Sequence, residues 1–333
     1  MNDLSKSISE DAPFGVFLKG DKTKYRALRT AFNSAQASWR SLSETPEALL
    51  DRDKAAANSA AWASLAELCK TCLKDTSKDL EVLSWYVASQ VHGSKPFENC
   101  RDALSLLDEL TASNIEALQP IPPTEKLKGE TDEARAREIA ELKLRSFIQL
   151  FGEVEGTGLL TGPITNLPLV GEVSFGKYVL ANKAGSLDDL RSEVATHIAS
   201  ESDALTLKIE GLQQMVVSIE NLETNVKKFA SEHGQTAPLI GYGVRLMKDV
   251  LAAIEVLVEG LGFIWPGVQA DEAVENIPQE QDAADTNTVA NQATQGSNFG
   301  AVGSFSANAN VANRNDALIA IAQLAKYFRN TEP

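Results

Sequence analysis

From residue 205 to residue 226 the apolar side chains Leu205, Ile209, Leu212, Val216, Ile219 and Val226 recur at spacings of 4, 3, 4, 3 and 7. Alternating threes and fours lie on one stripe of a helix, and a strand, with its period of two, cannot carry them. The stripe therefore predicts a long helix that must bury one side against a helical partner. Glu223 stands where the seam expects an apolar residue, and the repeat lasts only about three heptads, so a helix packed on a second helix is preferred to an extended coiled coil. Leu187, Leu190, Val194 and Ile198 lead into it, and residues 239–261 supply a second long helix that folds back across a turn at 234–238.

Helical stripes run through most of the remaining chain. Residues 16–36 and 54–74 read as helices, the second with Trp62, Leu65, Leu68 and Leu73 on a broad face, and Pro46 breaks the segment between them. Ser77 or Thr76 is the expected N-cap of a helix that buries Leu80, Leu83, Val87 and Val91 on one side, with Asp79 and Glu81 at its positive end and Gly93 and Pro96 closing it. Ala103, Leu106, Leu107 and Leu110 repeat the pattern until Pro120, Pro122 and Pro123 halt it. Residues 125–138 form a charged run, read as a solvated loop that becomes a solvated helix face. Ala140, Leu144, Phe147, Ile148 and Phe151 then make another stripe. Residues 152–176, punctuated by Gly156, Gly158, Gly162, Pro163, Pro168 and Gly171, read as a long ordered loop with a short hairpin at 170–178.

Residues 266–312 contain no lysine or arginine, carry six acids in their first half, and then turn to Asn, Gln, Ala, Gly, Ser and Thr. Such a segment cannot bury enough apolar surface to offset its ordering entropy and reads as a flexible linker. At 47 residues its mean reach is on the order of 35–40 Å. Leu318, Ile321, Ala325 and Phe328 restore a helical stripe beyond it. The expected class is all-α, with a helical domain over 1–178, a long-helix hairpin over 179–265, the linker over 266–312 and one further helix over 313–333.

The balance of 46 acidic against 31 basic side chains, a formal net charge of −15, argues against nucleic acid or an anionic membrane surface as the main partner. Basic or neutral proteins fit better. Three cysteines are too few for a secreted disulfide framework, the opening residues lack the pattern of a signal peptide, and the longest apolar stretch, 250–258, is interrupted by Glu255. The expected setting is the cytoplasm, without membrane insertion.

Several residue groups suggest chemistry, and each has a plainer reading. Cys69 and Cys72 have metal or redox spacing, but a second ligand pair is missing and they lie in a leucine-rich helical run, so buried helix cysteines are favoured. His92, His197 and His233 are scattered and read as helix-end or surface residues. Gly156-Thr157-Gly158 with Gly162 lacks the Lys-Ser/Thr ending of a phosphate loop, and Gly241-Tyr242-Gly243 is weaker still. Gly303-Ser304-Phe305-Ser306-Ala307 has Phe305 where a nucleophile elbow has its serine. Acid pairs such as Asp188 with Asp189 and Asp102 with Glu109 are ordinary on helix surfaces. Trp62, Trp85 and Tyr86 read as core anchors, although an exposed one would be a natural hot spot for protein binding. No catalytic residue, cofactor site or metal site is assigned.

One block has a recognisable order: Asp11-Ala12-Pro13-Phe14-Gly15, then Trp62, then Ser77-Lys78-Asp79-Leu80 with Trp85, then Leu118 and Pro120, ending near Leu167-Pro168-Leu169. It resembles the ImpA-type N-terminal domain of the TssA family, assembly proteins of bacterial type VI secretion, over roughly residues 11–178. Ile115 stands where that family usually has Trp. Arg314, Asp316-Ala317 and Tyr327-Phe328-Arg329 with Glu332-Pro333 are similar to the opening of the TssA C-terminal domain, so the resemblance implies a form lacking most of that domain. It makes Pro13, Gly15, Trp62, Ser77, Lys78, Asp79, Leu80, Trp85, Leu118, Pro120, Tyr327, Phe328 and Arg329 family-motif positions with structural roles. It also implies a non-enzymatic scaffold that contacts baseplate subunits (TssK, TssE, TssF), the Hcp tube, VgrG and sheath proteins, and that self-associates through the C-terminal region. The alternative is a related accessory protein with the same N-terminal domain, such as a sheath-capping stopper or a membrane-associated variant.

Overall fold

The chain begins as a strap. In the computed structural model, which describes residues 3–267, Leu4 is buried and its carbonyl accepts a hydrogen bond from the buried Lys78 ammonium. Ten α-helices follow among the described residues: α1 (Lys22–Leu42), α2 (Pro46–Leu49), α3 (Arg52–Asp75), α4 (Leu80–Gln90), α5 (Pro96–Asn114), α6 (Asp132–Phe151), α7 (Thr161–Asn166), α8 (Phe175–Ala184), α9 (Leu187–Glu232) and α10 (Ile240–Val258). The all-α expectation holds. The strand content is one antiparallel hairpin, β1 (Pro168–Val170) with β2 (Val173–Ser174), two residues ahead of the expected span.

α4 is the pivot. It packs on α3, α5 and α6, while α1 covers α3, and α5 in turn packs on α9. The sequence pattern assigned α4 one buried side; instead Val82 through Ser89 are all buried, because helices close on it from several directions. A helix apolar all round belongs to an interior. Its two polar intruders are satisfied locally, Ser84 Oγ donating to Glu81 O at 2.8 Å and Ser89 Oγ to Tyr86 O at 2.6 Å.

Start signals account for most differences from the expected boundaries. The first helix begins at Lys22 and runs on to Leu42, because Asp21 accepts from the amides of Thr23 and Lys24; residues 18–20 form a separate 3₁₀ turn. Pro46 and Pro96, read as breakers, sit in the first turn of α2 and α5, where the missing N–H costs nothing. Residues 152–176 are less loop-like than expected, holding α7 as well as the hairpin.

α9 and α10 form the expected helix pair across the turn at 234–238. The seam does not break at Glu223. Leu222 is fully buried, so the spacing runs 3 then 4 from Ile219 to Val226, and Glu223 sits half-buried at the edge of the seam, beside Gly241 and paired with Lys227 at 2.6 Å. α9 also packs along α5, and the described residues fall within one unit, Met1–Val274. The expected linker from residue 268 onward, the 303–307 segment and the stripe and motif residues from Arg314 to Pro333, Tyr327, Phe328 and Arg329 included, lie outside the described residues.

Candidate interaction site

Three of the motif segments meet at one crossing in the interior, while Trp62 lies elsewhere. Residues 14–16, 76–80 and 118–119 run side by side: Lys78 N donates to Phe14 O at 3.0 Å, Val16 N to Thr76 O at 3.2 Å, Gln119 N to Lys78 O at 3.1 Å and Leu80 N to Gln119 O at 2.9 Å. Gly15 has φ 72°, and a Cβ there would run into the Thr76 carbonyl oxygen, so a side chain is excluded twice over. The Gln119–Pro120 peptide is cis, and the Gln119 side chain accepts from Ile121 N at 2.7 Å.

At this crossing the cap of α4 differs from the one expected. Ser77 and Thr76 do not cap; Asp79 does, accepting from Glu81 N at 2.8 Å. Its second oxygen, Oδ2, is buried without a partner, and burial, with the Glu81 charge adding, raises its pKa to about 6. Lys78 and Leu80 are each 1% exposed, Leu118 is fully buried, and Trp85 stacks on Phe32 with ring centroids 4.6 Å apart while its Nε1 donates to Gln149 Oε1 at 2.8 Å. These side chains hold segments together and offer a partner almost no surface.

Two further lysines, the buried Lys143 and the half-buried Lys208, which the sequence pattern did not single out, work as Lys78 does. Lys143 donates to the carbonyls of Ile115 and Glu116 at 2.9 and 2.7 Å, closing the end of α5, and burial brings its pKa down to about 8. Lys208 donates to Pro168 O and Leu169 O at 3.2 and 2.7 Å, fastening β1 to α9. The signal was present only as a lysine within an apolar stripe, Lys143 beside Leu144 and Lys208 beside Ile209.

Two open concavities are of interest, the first beside the crossing. One, of 270 Å³, is lined by Lys19, Glu81, Pro120, Arg145 and Gln149, with Lys19 Nζ 2.9 Å from Glu81. The second, of 340 Å³, joins residues scattered in sequence: Trp39 and Arg40 of α1, Trp62 of α3, and Gly156, Thr157 and Gly162 of the turn-rich segment. Behind it, His92 stacks on Trp62 at 4.3 Å and meets the edge of Trp39 at 5.2 Å. Asn58 organises this wall: its Oδ1 accepts from Trp62 Nε1 at 3.1 Å and Ser38 Oγ at 3.2 Å, which turns its amide toward His92 Nδ1 at 3.1 Å. The proton of neutral His92 is therefore on Nε2, which has no partner, and burial pushes its pKa down to about 3. An aromatic wall with one arginine and a glycine-lined lip suits a protruding protein side chain.

The remaining candidates do not meet. Cys69, Cys72 and Cys100 are buried and free; burial raises the Cys69 thiol well above its ordinary range and takes Cys72 and Cys100 to about 12. Such thiols are poor nucleophiles. His197 lies by Glu201 on α9, and His233 contacts Glu116 at 2.8 Å. Gly241 and Gly243 belong to α10, facing Glu223 and Phe151. Asp188 and Asp189 are exposed in the first turn of α9; Asp102 pairs with Arg101, and Glu109 points to solvent. Among the described residues no three His, Cys, Asp or Glu side chains could together hold a metal ion, and no helix is long and apolar enough to cross a membrane.

Residues 5–143, which include the whole crossing, match the family described as ImpA, N-terminal, type VI secretion system. Over that segment the chain is similar to an ImpA N-terminal domain. Among solved structures, the N-terminal domain of the TssA component of the type VI secretion system from Burkholderia cenocepacia, which includes the conserved ImpA_N region, matches with a TM-score of 0.50 and 15% identity. The match covers 79% of this chain and 95% of that one, so the shared fold continues past the ImpA segment into the α9–α10 pair. At that identity the likeness is one of fold. No curated protein matches the chain.

Proposed function

We propose that this protein is a non-enzymatic adaptor in type VI secretion, contacting the baseplate and promoting polymerisation of the tail tube and sheath. The observation that carries the reading is the ImpA match over residues 5–143, joined to a fold like that of a TssA N-terminal domain. TssA proteins are structural components not known as enzymes. The partners proposed are the baseplate subunits TssK, TssE and TssF, the Hcp tube, VgrG and the sheath proteins. Self-association through the region after residue 312 belongs to the same reading, as does a cytoplasmic location. Purified full chain is to be tested by pull-down against each of these subunits. Retention of at least one baseplate, tube or sheath protein is the expected outcome, and retention of none removes the proposal. Because the matched segment is the N-terminal domain alone, an accessory protein sharing that domain is the second reading; it is favoured if only assembled sheath, and no baseplate subunit, is retained.

A further inference from the structure

α1 is a basic helix in an acidic molecule. Its 21 residues contain Lys22, Lys24, Arg26, Arg29 and Arg40 and no aspartate or glutamate, within a chain of formal net charge −15. Leu28, Phe32, Ala35 and Leu42 are buried; Lys22, Arg26, Asn33 and Arg40 are exposed on a side turned away from them, and Arg29 sits at its edge with its guanidinium over the Phe32 and Trp85 rings. The ridge from Lys22 to Arg40 is about 27 Å long at 1.5 Å per residue. Lys24 lies 3.9 Å from Asp21 and Arg29 lies 3.8 Å from Glu81, but Lys22, Arg26 and Arg40 make no ion pair among the described residues. Beside Lys22 and Arg26 a shallow depression of 650 Å³ is floored by Ala27, Thr30 and Ala31, which leaves room for another backbone to come close.

We infer that this face of α1 is a docking surface for an acidic helix of a partner protein. The argument is charge complementarity: Lys22 and Arg26 one turn apart, with Arg40 farther along the same side, make no ion pair among the described residues, and carboxylates on a helix laid along α1 satisfy them. A polyanion fits less well. Nucleic acid or an anionic membrane meets the net negative charge of the whole molecule, whereas a short acidic helix presents its charge only within the roughly 8 Å over which salt leaves it unscreened. The ridge ends at Arg40 on the lip of the Trp39 cleft, so a helix lying on α1 brings its terminal residues to that aromatic wall. This inference stands on the surface itself and survives whatever assembly the partner belongs to.

The test uses the full chain and a fluorescent helical peptide with glutamates at alternating three- and four-residue spacings, read by anisotropy at two salt concentrations. Controls are a peptide of the same composition with its glutamates spread around the helix, an oligonucleotide of equal charge, and phosphatidylglycerol vesicles. The patterned peptide is expected to bind best, with affinity falling by about tenfold or more in the Lys22→Glu/Arg26→Glu/Arg40→Glu variant and little changed in Lys22→Arg/Arg26→Lys. All these positions are exposed, and unchanged circular dichroism certifies the fold of each variant. Absent binding, equal binding of the two peptides, tighter binding of oligonucleotide or vesicles, or binding that charge reversal leaves intact each overturns the inference.

Discussion

α4 and α1 both pack on α3 and touch each other through Trp85 and Phe32, yet they divide the work of the domain between them. In α4 nine of eleven residues are buried; in α1 only four of twenty-one are. Ser77, Lys78, Asp79, Leu80, Trp85 and Leu118, on which the family resemblance was drawn, lie at or beside α4, where a side chain has little freedom to change without loss of packing. α1 carries an unusual charge pattern and contributes nothing to the motif. Burial and accessibility are therefore separate here: the residues around α4 hold the domain together, and the exposed side of α1 is left free of packing.

The largest expected effect comes from breaking the interior side of that contrast. Trp85→Ala removes the stack on Phe32 and leaves Gln149 Oε1 without its donor, so a loss of about 3–5 kcal/mol in urea unfolding is expected. Trp85→Phe, which keeps a ring but not the N–H, should lose less than half of that. A loss under about 1 kcal/mol for the alanine variant would contradict the placement of α4 as the pivot.

Next comes His92, on the wall between the two helices. Its pKa in the fold is about 3, below the ordinary 6.5, so the unfolded chain takes up the proton first. The stability that neutral His92 confers is present above pH 6.5 and is lost as pH falls toward 3. By linkage the loss is about 2 kcal/mol at pH 5. Chemical denaturation at pH 7 and pH 5 should show this slope in the parent and not in His92→Phe. Equal slopes would mean that His92 is solvated, and that the Trp39 cleft is more open than its stacked wall implies.

Asp79 carries the opposite sign and a smaller effect. Its folded pKa of about 6 exceeds the ordinary 3.8, so its contribution is present below pH 3.8 and is lost as pH rises to about 6. Asp79→Asn keeps an oxygen to cap α4 and removes the titration. The parent should lose on the order of 1 kcal/mol more than the variant between pH 5 and pH 7. Since His92 loses stability in the other direction over the same range, the two should be compared in a His92→Phe background.

The stripes of α5, α6, α9 and α10 were legible because each of these helices buries one side and exposes the other, which is the condition for a 3.6-residue signal. α4 failed that condition. Buried all round, it shows only some of its contacts in a one-sided pattern, and its true cap, Asp79, is masked in the sequence by Ser77 and Thr76, which are equally good capping residues. Glu223 misled in a similar way, since Leu222 beside it continues the seam one residue early. The Trp39 cleft was not legible at all. Trp39, Trp62, His92 and Gly156 come from four separate segments, and no local rule reports that the turn after α6 lies over the end of α1.

The smallest effect concerns α1, and its smallness is what sharpens the contrast. Lys22→Ala and Arg26→Ala remove charges that make no ion pair among the described residues and side chains that are exposed. Each should change thermal stability by less than about 0.5 kcal/mol, against several for Trp85. Helix propensity favours alanine slightly, so the sign should be neutral to stabilising. A clear loss from either substitution would mean that the ridge serves the fold after all, through its aliphatic stems lying on α1's own surface. Neutral stability leaves the row of cations without a structural reason inside the domain, which is the condition a surface kept for an external partner has to meet.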